Sequence, residues 1–259
     1  MEAIEKAFLK EGERLDELQR DGRRIIQHPG RFCFGMDAVL LSAFARAYPG
    51  EKVLDLCSGT GVIPILMESR YPGAHFTGLE LQEESADMAR RSVQVNGREE
   101  QISILQGDLR NCEEQLKAGA WDVVTVNPPY MKVPAGQHNR NLAMNLARHE
   151  IACTLTDVLA SAARLLKSKG RFYMVHRPMR LPEIMEQMRE FKIEPKRMQL
   201  VYPKLEREPN MVLIEGIRGG APELRVAPPL IIYHEDGSYT EPVRRIYEGN
   251  NGNSQSASM

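Results

Sequence analysis

Between residues 52 and 130 the chain repeats one pattern four times: a short apolar run that stops on an acid, an amide or a glycine turn. The runs are Lys52-Val-Leu-Asp-Leu-Cys57, His75-Phe-Thr-Gly-Leu-Glu80, Ile102-Ser-Ile-Leu105 leading to Gly107-Asp108, and Trp121-Asp-Val-Val-Thr-Val126 leading to Asn127. Runs this short and this apolar are strands buried on both faces, as in a parallel sheet. Helical segments separate them. Val62 to Arg70 is stopped by Tyr71-Pro-Gly73, Gln82 to Asn96 ends at Asn96-Gly97, and Asn111 to Ala118 predicts a short helix. Farther on, Thr154–Lys167 and Pro182–Phe191 read as helices, and Gly170–His176, Arg197–Tyr202 and Met211–Ile217 as strands. Strands alternating with helices specify an α/β chain with a doubly wound, mainly parallel sheet, which binds ligands beyond the carboxyl ends of its strands. Every motif singled out below lies at such an end.

The flanks are less regular. The first 30 residues carry turn signals, with Leu15, Leu18, Ile25 and Ile26 as apolar anchors. Asp37 is placed to cap a helix whose apolar residues begin at Ala38, and Gly35 suits the tight turn before it. After Gly219 the chain is rich in Gly, Pro and turns, and its last residues, NNGNSQSASM, have the composition of a disordered tail. The layout read from this is a 1–30 extension packing on the core, a 31–248 domain and a 249–259 tail.

A chain of 259 residues suffices for one large α/β domain with a buried core. No run approaches the roughly 18 apolar residues of a membrane span, and the charged N-terminus lacks the apolar core of a signal peptide. The four cysteines, Cys33, Cys57, Cys112 and Cys153, form no CxxC pair, so neither a zinc site nor a disulfide framework is indicated. A reduced, cytoplasmic protein is expected. The net charge of −1 hides an asymmetry: residues 164–218 hold 13 Lys and Arg against 7 Asp and Glu, and residues 131–149 hold Lys132, Arg140, Arg148 and two histidines without an acid. Such a basic face is compatible with a polyanionic partner, although basic residues also simply decorate solvated surfaces.

The first strand runs into DLCSGTG, residues 55–61. A glycine turn between strand and helix brings backbone close to a ligand. A nicotinamide-binding fold wants GxGxxG, and here the third position is Pro64. Asp55, four residues before Gly59, suits a cationic amino group such as the methionine end of S-adenosylmethionine. Glu80 ends the second strand, where a carboxylate takes a ribose hydroxyl pair. Asp108 ends the third, placed to accept from an adenine amino group. Each acid alone is ordinary; three at three successive strand ends are not.

The fourth strand ends in Asn127-Pro128-Pro129-Tyr130. An amide or aniline-like nitrogen is a poor nucleophile because its lone pair is delocalised. The Asn127 side-chain oxygen and the Pro128 carbonyl are suited to accept both of its hydrogens, aiming the lone pair at a methyl donor. The prolines fix φ and hold that carbonyl, and Tyr130 offers a face on which an acceptor ring stacks. Orientation and electrostatics then supply most of the rate, without a strong general base. His138 and His149 are read as loop residues, and the methionines between 174 and 198 as core packing.

The order acid-GxG, acid, acid resembles class I methyltransferases, although Cys57 stands where many members carry glycine. NPPY resembles the signature of methyltransferases acting on adenine N6, cytosine N4 or the glutamine side-chain amide. The whole chain, from about Asp16 to Tyr247, resembles the bacterial tRNA(Val) adenine-N6 methyltransferases, through RFCFGMDAVLLSAFA, DLCSGTG, NPPY, the VHRP of residues 175–178, APPLIIY and GSYTEPVRRIYE. The resemblance implies a Rossmann-like fold with a seven-stranded, mainly parallel sheet and a C-terminal antiparallel strand. It implies methyl transfer from S-adenosylmethionine to N6 of an anticodon-loop adenine. A protein-glutamine methyltransferase and an rRNA adenine methyltransferase remain alternatives, and a non-catalytic RNA-binding protein is a further one.

The catalytic candidates are thus Asn127, Pro128, Pro129 and Tyr130. The cofactor candidates are Asp37, Asp55, Cys57, Ser58, Gly59, Gly61, Glu80, Leu81, Asp108, Leu109 and Asn127. Lys132, Arg140, Arg148, Lys196, Arg197 and Lys204 are candidate RNA contacts. The expected partner is tRNA, with no metal and no membrane, and the chain is expected to act as a monomer or weak homodimer. Because the tail's composition builds no core, truncation after Glu248 is predicted to leave the methyl-transfer rate unchanged in a steady-state assay; a large loss of rate contradicts it.

Overall fold

In a computed structural model, residues 7–31, 33–128 and 153–248 are described. A hairpin, β1 (Arg14–Glu17) and β2 (Arg24–Gln27), precedes helix α1 (Met36–Phe44). The core follows as β3 (Lys52–Leu56), α2 (Val62–Arg70), β4 (His75–Glu80), α3 (Glu83–Val95), β5 (Ile102–Gln106), β6 (Trp121–Val126), α4 (Leu155–Leu165), β7 (Leu166–His176), α5 (Leu181–Glu190), β8 (Ile193–Tyr202) and β9 (Met211–Arg218). Two short strands, β10 (Arg225–Val226) and β11 (Leu230–Ile231), and helix α6 (Glu241–Glu248) close the described chain.

The main sheet runs β10-β8-β9-β7-β6-β3-β4-β5, with β11 also on β8. Seven strands form its body, and β9 lies antiparallel to both β7 and β8. The α/β class and the antiparallel C-terminal strand expected from the sequence are present. The count differs, because β10 and β11 add parallel to the β8 edge. Two-residue strands carry too little periodicity to be read beforehand.

Alternation along each strand builds two cores. Val53, Val123, Tyr173, Val175 and Leu213 face the layer of α1 and α2. Leu54, Val124, Phe172, Met174, Val212 and Ile214 face α4 and α5. Local signals fix the helices. Thr154 and Asp157 form a reciprocal capping box at the start of α4. Glu83 and Glu84 sit in the first turn of α3, where the helix dipole favours them.

Two expectations fail for identifiable reasons. Asp37 does not cap α1: Gly35 is the N-cap and Asp37 lies within the first turn, its carboxylate accepting from the Ala38 amide. Residues 111–118 form no helix; only a 3-10 turn, Leu109–Asn111, is present, with Asp108 as its cap. Within that stretch one isolated turn is closed by the Leu116 amide on the Cys112 carbonyl. Gly119 and Ala120 are tied at once to the end of α4 through the Arg164 and Leu165 carbonyls. The N-terminal segment is a paired hairpin, whose Asp21-Gly22 turn has positive φ at both residues. Its Ile26 amide donates to Ser92 Oγ on α3, and Leu18, Ile25 and Ile26 are buried. Ile25→Ala is therefore predicted to destabilise the whole protein by about 2–4 kcal/mol in urea unfolding. A change near zero shows that the hairpin folds apart from the core.

Candidate active site

In the sheet β3 pairs with β4 on one side and β6 on the other. The chain order reverses there, so a crevice opens at the carboxyl ends of these strands. The turn after β3 holds three left-handed residues in five: Cys57 (φ 57°), Gly59 (φ 56°) and Gly61 (φ 85°). A side chain at Gly61 would crowd Ala89, with Cβ atoms 3.2 Å apart, whereas nothing lies within 4 Å of a Cβ built on Gly59. The Gly59 side of the turn is thus open to a ligand. At Cys57 a non-glycine residue carries a conformation costing about 1–2 kcal/mol, which is the physical reason glycine suits that position.

Glu80, at the end of β4, pins this turn. One carboxylate oxygen accepts from the Gly59 amide at 2.8 Å, the other from the Gln82 amide at 2.9 Å. Each oxygen keeps a lone pair, and the pair is held as a fixed two-point acceptor suited to a vicinal diol. Beside it, Leu81 is 39% exposed at the strand end, an apolar surface of the kind a nucleoside covers. Ser58 is buried and its amide donates to the Leu79 carbonyl.

Asp55 is oriented differently from expectation. It lies between Leu54 and Leu56, so it faces the opposite side of the sheet, in a tight crevice with Ile63, Met67, Phe76 and Thr125. Only 1% of it is exposed, and Thr125 Oγ1 donates to it at 2.6 Å from the adjacent strand. Burial raises its pKa to about 7, against the opposing pull of Thr125 and the nearby Ser58 hydroxyl, with the Glu80 charge adding to the rise. Its Oδ1 ties β3 to β6 beneath the turn, while its Oδ2 is buried without a hydrogen-bond partner among the described residues.

Asp108 caps the 3-10 turn and holds Arg110 in a two-point ion pair, which keeps its carboxyl below the usual range. Leu109 next to it is a core residue, 5% exposed. Asp37 lies in the first turn of α1.

Asn127 follows β6 directly. Among the described residues its Oδ1 is buried and without a hydrogen-bond partner. An acceptor left so costs about 1–3 kcal/mol, which points to a donor supplied by a ligand. Pro128 is buried behind it; Pro129 and Tyr130 lie outside the described residues, as do Lys132, Arg140 and Arg148. Of the other basic candidates, Lys204 stands at the carboxyl edge just beyond β8, donating to the Glu235 carbonyl. Lys196 and Arg197 lie within β8 instead. Through the sheet register Arg197 stands level with Glu215, Tyr173, Thr125 and Asp55, on the strand beyond β9. Arg197 is engaged by Glu215 at 2.7 Å and stacks on Phe44, and Lys196 donates to the Ala221 carbonyl. Both side chains are thus engaged within the described fold.

Two residues of the site escaped the sequence reading. Thr125 gives no signal beyond being a strand residue. His176 ends β7, whose register sets it beside Pro128; it stood in the VHRP motif without a role. It is 1% exposed, and burial, with Arg180 adding, lowers its pKa to about 4. Its Nδ1 accepts from the Arg177 amide at 2.7 Å.

A doubly wound sheet with a glycine turn, a diol-type acceptor and a proline-fixed amide at its switch point defines a nucleoside-cofactor enzyme of the α/β class. Residues 22–194 match the methyltransferase small domain family, and the chain belongs to it. Among its relatives is the tRNA1(Val) (adenine(37)-N6)-methyltransferase of Porphyromonas gingivalis, 27% identical and covering 83% of this chain and 86% of that one. The fold resembles a predicted O-methyltransferase of Agrobacterium tumefaciens (TM-score 0.67, 22% identity, 83% of this chain and 96% of that one). It also resembles geranyl diphosphate C-methyltransferase of Streptomyces coelicolor, solved with S-adenosyl-L-homocysteine (TM-score 0.55, 15% identity, 71% and 75%). Among the described residues, no helix is long and apolar enough to cross a membrane.

The Asp55 pKa has a consequence for stability. Folding raises it from the ordinary 3.8 to about 7, so between those values the folded state holds a proton the unfolded state lacks. Its contribution is complete below pH 3.8 and is lost as pH rises through 7, at roughly 1.4 kcal/mol per unit. Asp55→Asn is predicted to flatten that slope in urea unfolding between pH 5 and pH 8; parallel wild-type and variant slopes contradict it.

Proposed function

We propose that this methyltransferase transfers the methyl group of S-adenosylmethionine to the exocyclic N6 of an adenine in a tRNA anticodon loop. The observation that carries the reading is the buried, unpartnered Oδ1 of Asn127 at the switch point. The name of the P. gingivalis relative, which spans most of both chains, supports the substrate.

The residues present fit this cofactor. The open left-handed turn at Gly59 lets backbone approach a ligand, and Glu80 holds two acceptor oxygens for the ribose hydroxyls. Leu81 covers the nucleoside, and Asp55 stiffens the turn from below. When bound, S-adenosylmethionine supplies an electrophilic methyl group on a sulfonium. The remaining work falls to Asn127 and Pro128. Asn127 Oδ1 accepts one N6 hydrogen, and the carbonyl of Pro128, held by the fixed φ of its ring, accepts the other. Donating both hydrogens withdraws the nitrogen lone pair from the ring and directs it outward. No side chain needs to remove a proton before transfer; His176, neutral above pH 4 and bonded to the Arg177 amide, serves as a fixed wall. An anticodon loop already exposes its bases, so presenting the adenine costs less than from a duplex. The protein acts in the cytoplasm, where its substrate is.

The test uses tRNA from cells lacking the modification, with nucleoside mass spectrometry as readout. Wild type is expected to form N6-methyladenosine, and Asn127→Ala to lose about 10²–10³-fold in kcat while still binding the cofactor. Methylation of a release-factor glutamine with none on tRNA, or an Asn127→Ala variant as fast as wild type, overturns the reading.

A further inference from the structure

The described residues place two thiols in contact across the active-site wall. Cys57 Sγ lies 3.8 Å from Cys153 Sγ, although 96 residues separate them. Cys57 sits in the left-handed turn between Asp55 and Gly59, and Cys153 directly precedes Thr154, the cap of α4. Cys33 and Cys112 meet backbone carbonyls instead. We propose that Cys57 and Cys153 are an oxidisable dithiol, which a hydroperoxide converts to a disulfide that shuts the cofactor site until it is reduced. The inference rests on the reading that the turn after β3 holds the cofactor.

The chemistry is asymmetric. Sharing a proton across the contact lowers the pKa of Cys153 and raises that of Cys57. Burial and the neighbouring Glu80 and Asp55 carboxylates push Cys57 further up, while the Arg110 guanidinium favours the Cys153 thiolate. Cys153 is therefore the attacking sulfur. Its thiolate takes the distal oxygen of hydrogen peroxide, the O–O bond breaks, and a sulfenic acid and hydroxide form. The Cys57 thiol then attacks the Cys153 sulfur, the S–S bond forms, the S–O bond breaks and water leaves. The two sulfurs give up two electrons to the peroxide, and the second water forms from the hydroxide and the proton first lost by Cys153.

Geometry decides what the bond does. Disulfide sulfurs stand about 2 Å apart, so one side must move. The α4 side is anchored by its capping box and by Ser161 Oγ, which donates to the Leu109 carbonyl. The Cys57 side is a turn already carrying a strained conformation and held to Glu80 through the Gly59 amide. The turn yields, and the acceptor pair at Glu80 loses its alignment with it.

The test treats the full-length, cofactor-free protein with hydrogen peroxide. Peptide mapping without reductant is expected to show the Cys57 and Cys153 peptides joined. S-adenosylmethionine affinity by calorimetry should fall about tenfold or more and return with dithiothreitol. Cys153→Ser is expected to bind the cofactor as wild type does and to keep that affinity through peroxide. Absence of the joined peptide, unchanged affinity in the joined form, or equal loss in Cys153→Ser overturns the proposal. Glu80→Ala, measured under reducing conditions, keeps the two readings apart: undiminished affinity there overturns the location of the cofactor site, whereas the joined peptide reports on the thiols alone.

Discussion

Glu80 receives two backbone amides, from Gly59 on one strand connection and Gln82 on the next, and the geometry of the site follows from that bridge. A carboxylate 7% exposed is costly to bury unless its oxygens are satisfied. Here the satisfaction comes from the turn that must be held still. The left-handed residues at 57, 59 and 61 are tolerable because the bridge over-determines them. The two acceptor oxygens are therefore fixed before any ligand arrives, which spares the binding step the cost of ordering them.

Beneath the bridge lies a second carboxyl with the opposite character. Asp55 is enclosed by apolar side chains and takes one hydrogen bond from Thr125, so desolvation prevails and its pKa climbs toward neutrality. His176, at the neighbouring strand end, is driven the other way for the same reason, burial disfavouring its charged form. Burial thus disfavours the charged form of both groups, while the Glu80 carboxylate is held at the strand end by two backbone amides.

Segments near the two ends of the described chain complete the fold. The hairpin closes over α3, and the C-terminal chain adds β10 and β11 to β8 before turning into α6. There Tyr233, Tyr239 and Tyr247 stack at centroid separations of 5.4 and 5.5 Å. These contacts cover an edge strand that would otherwise present unpaired backbone.

Much of this was legible in the chain. Short apolar runs ending in polar residues dictated a parallel sheet, because only strands buried on both faces read that way, and the glycine turn and Asn127-Pro128 fell at its carboxyl edge. Asn127 was identifiable because proline and asparagine carry their constraints locally, in φ and in an amide oxygen. Periodicity alone failed where it was brief, at residues 111–118 and in the two-residue strands. Tertiary structure decided which way each strand-end acid points. Period-two alternation turns Asp55 beneath the sheet, the bridge holds Glu80 at the rim, and Arg110 takes Asp108. It also decided that Cys57 and Cys153 touch and that Arg197 is taken up by Glu215 and Phe44. The sequence specifies backbone conformation and the chemistry each residue offers; contacts between residues distant in the chain depend on how strands and helices stack, which exists only once the whole sheet has formed.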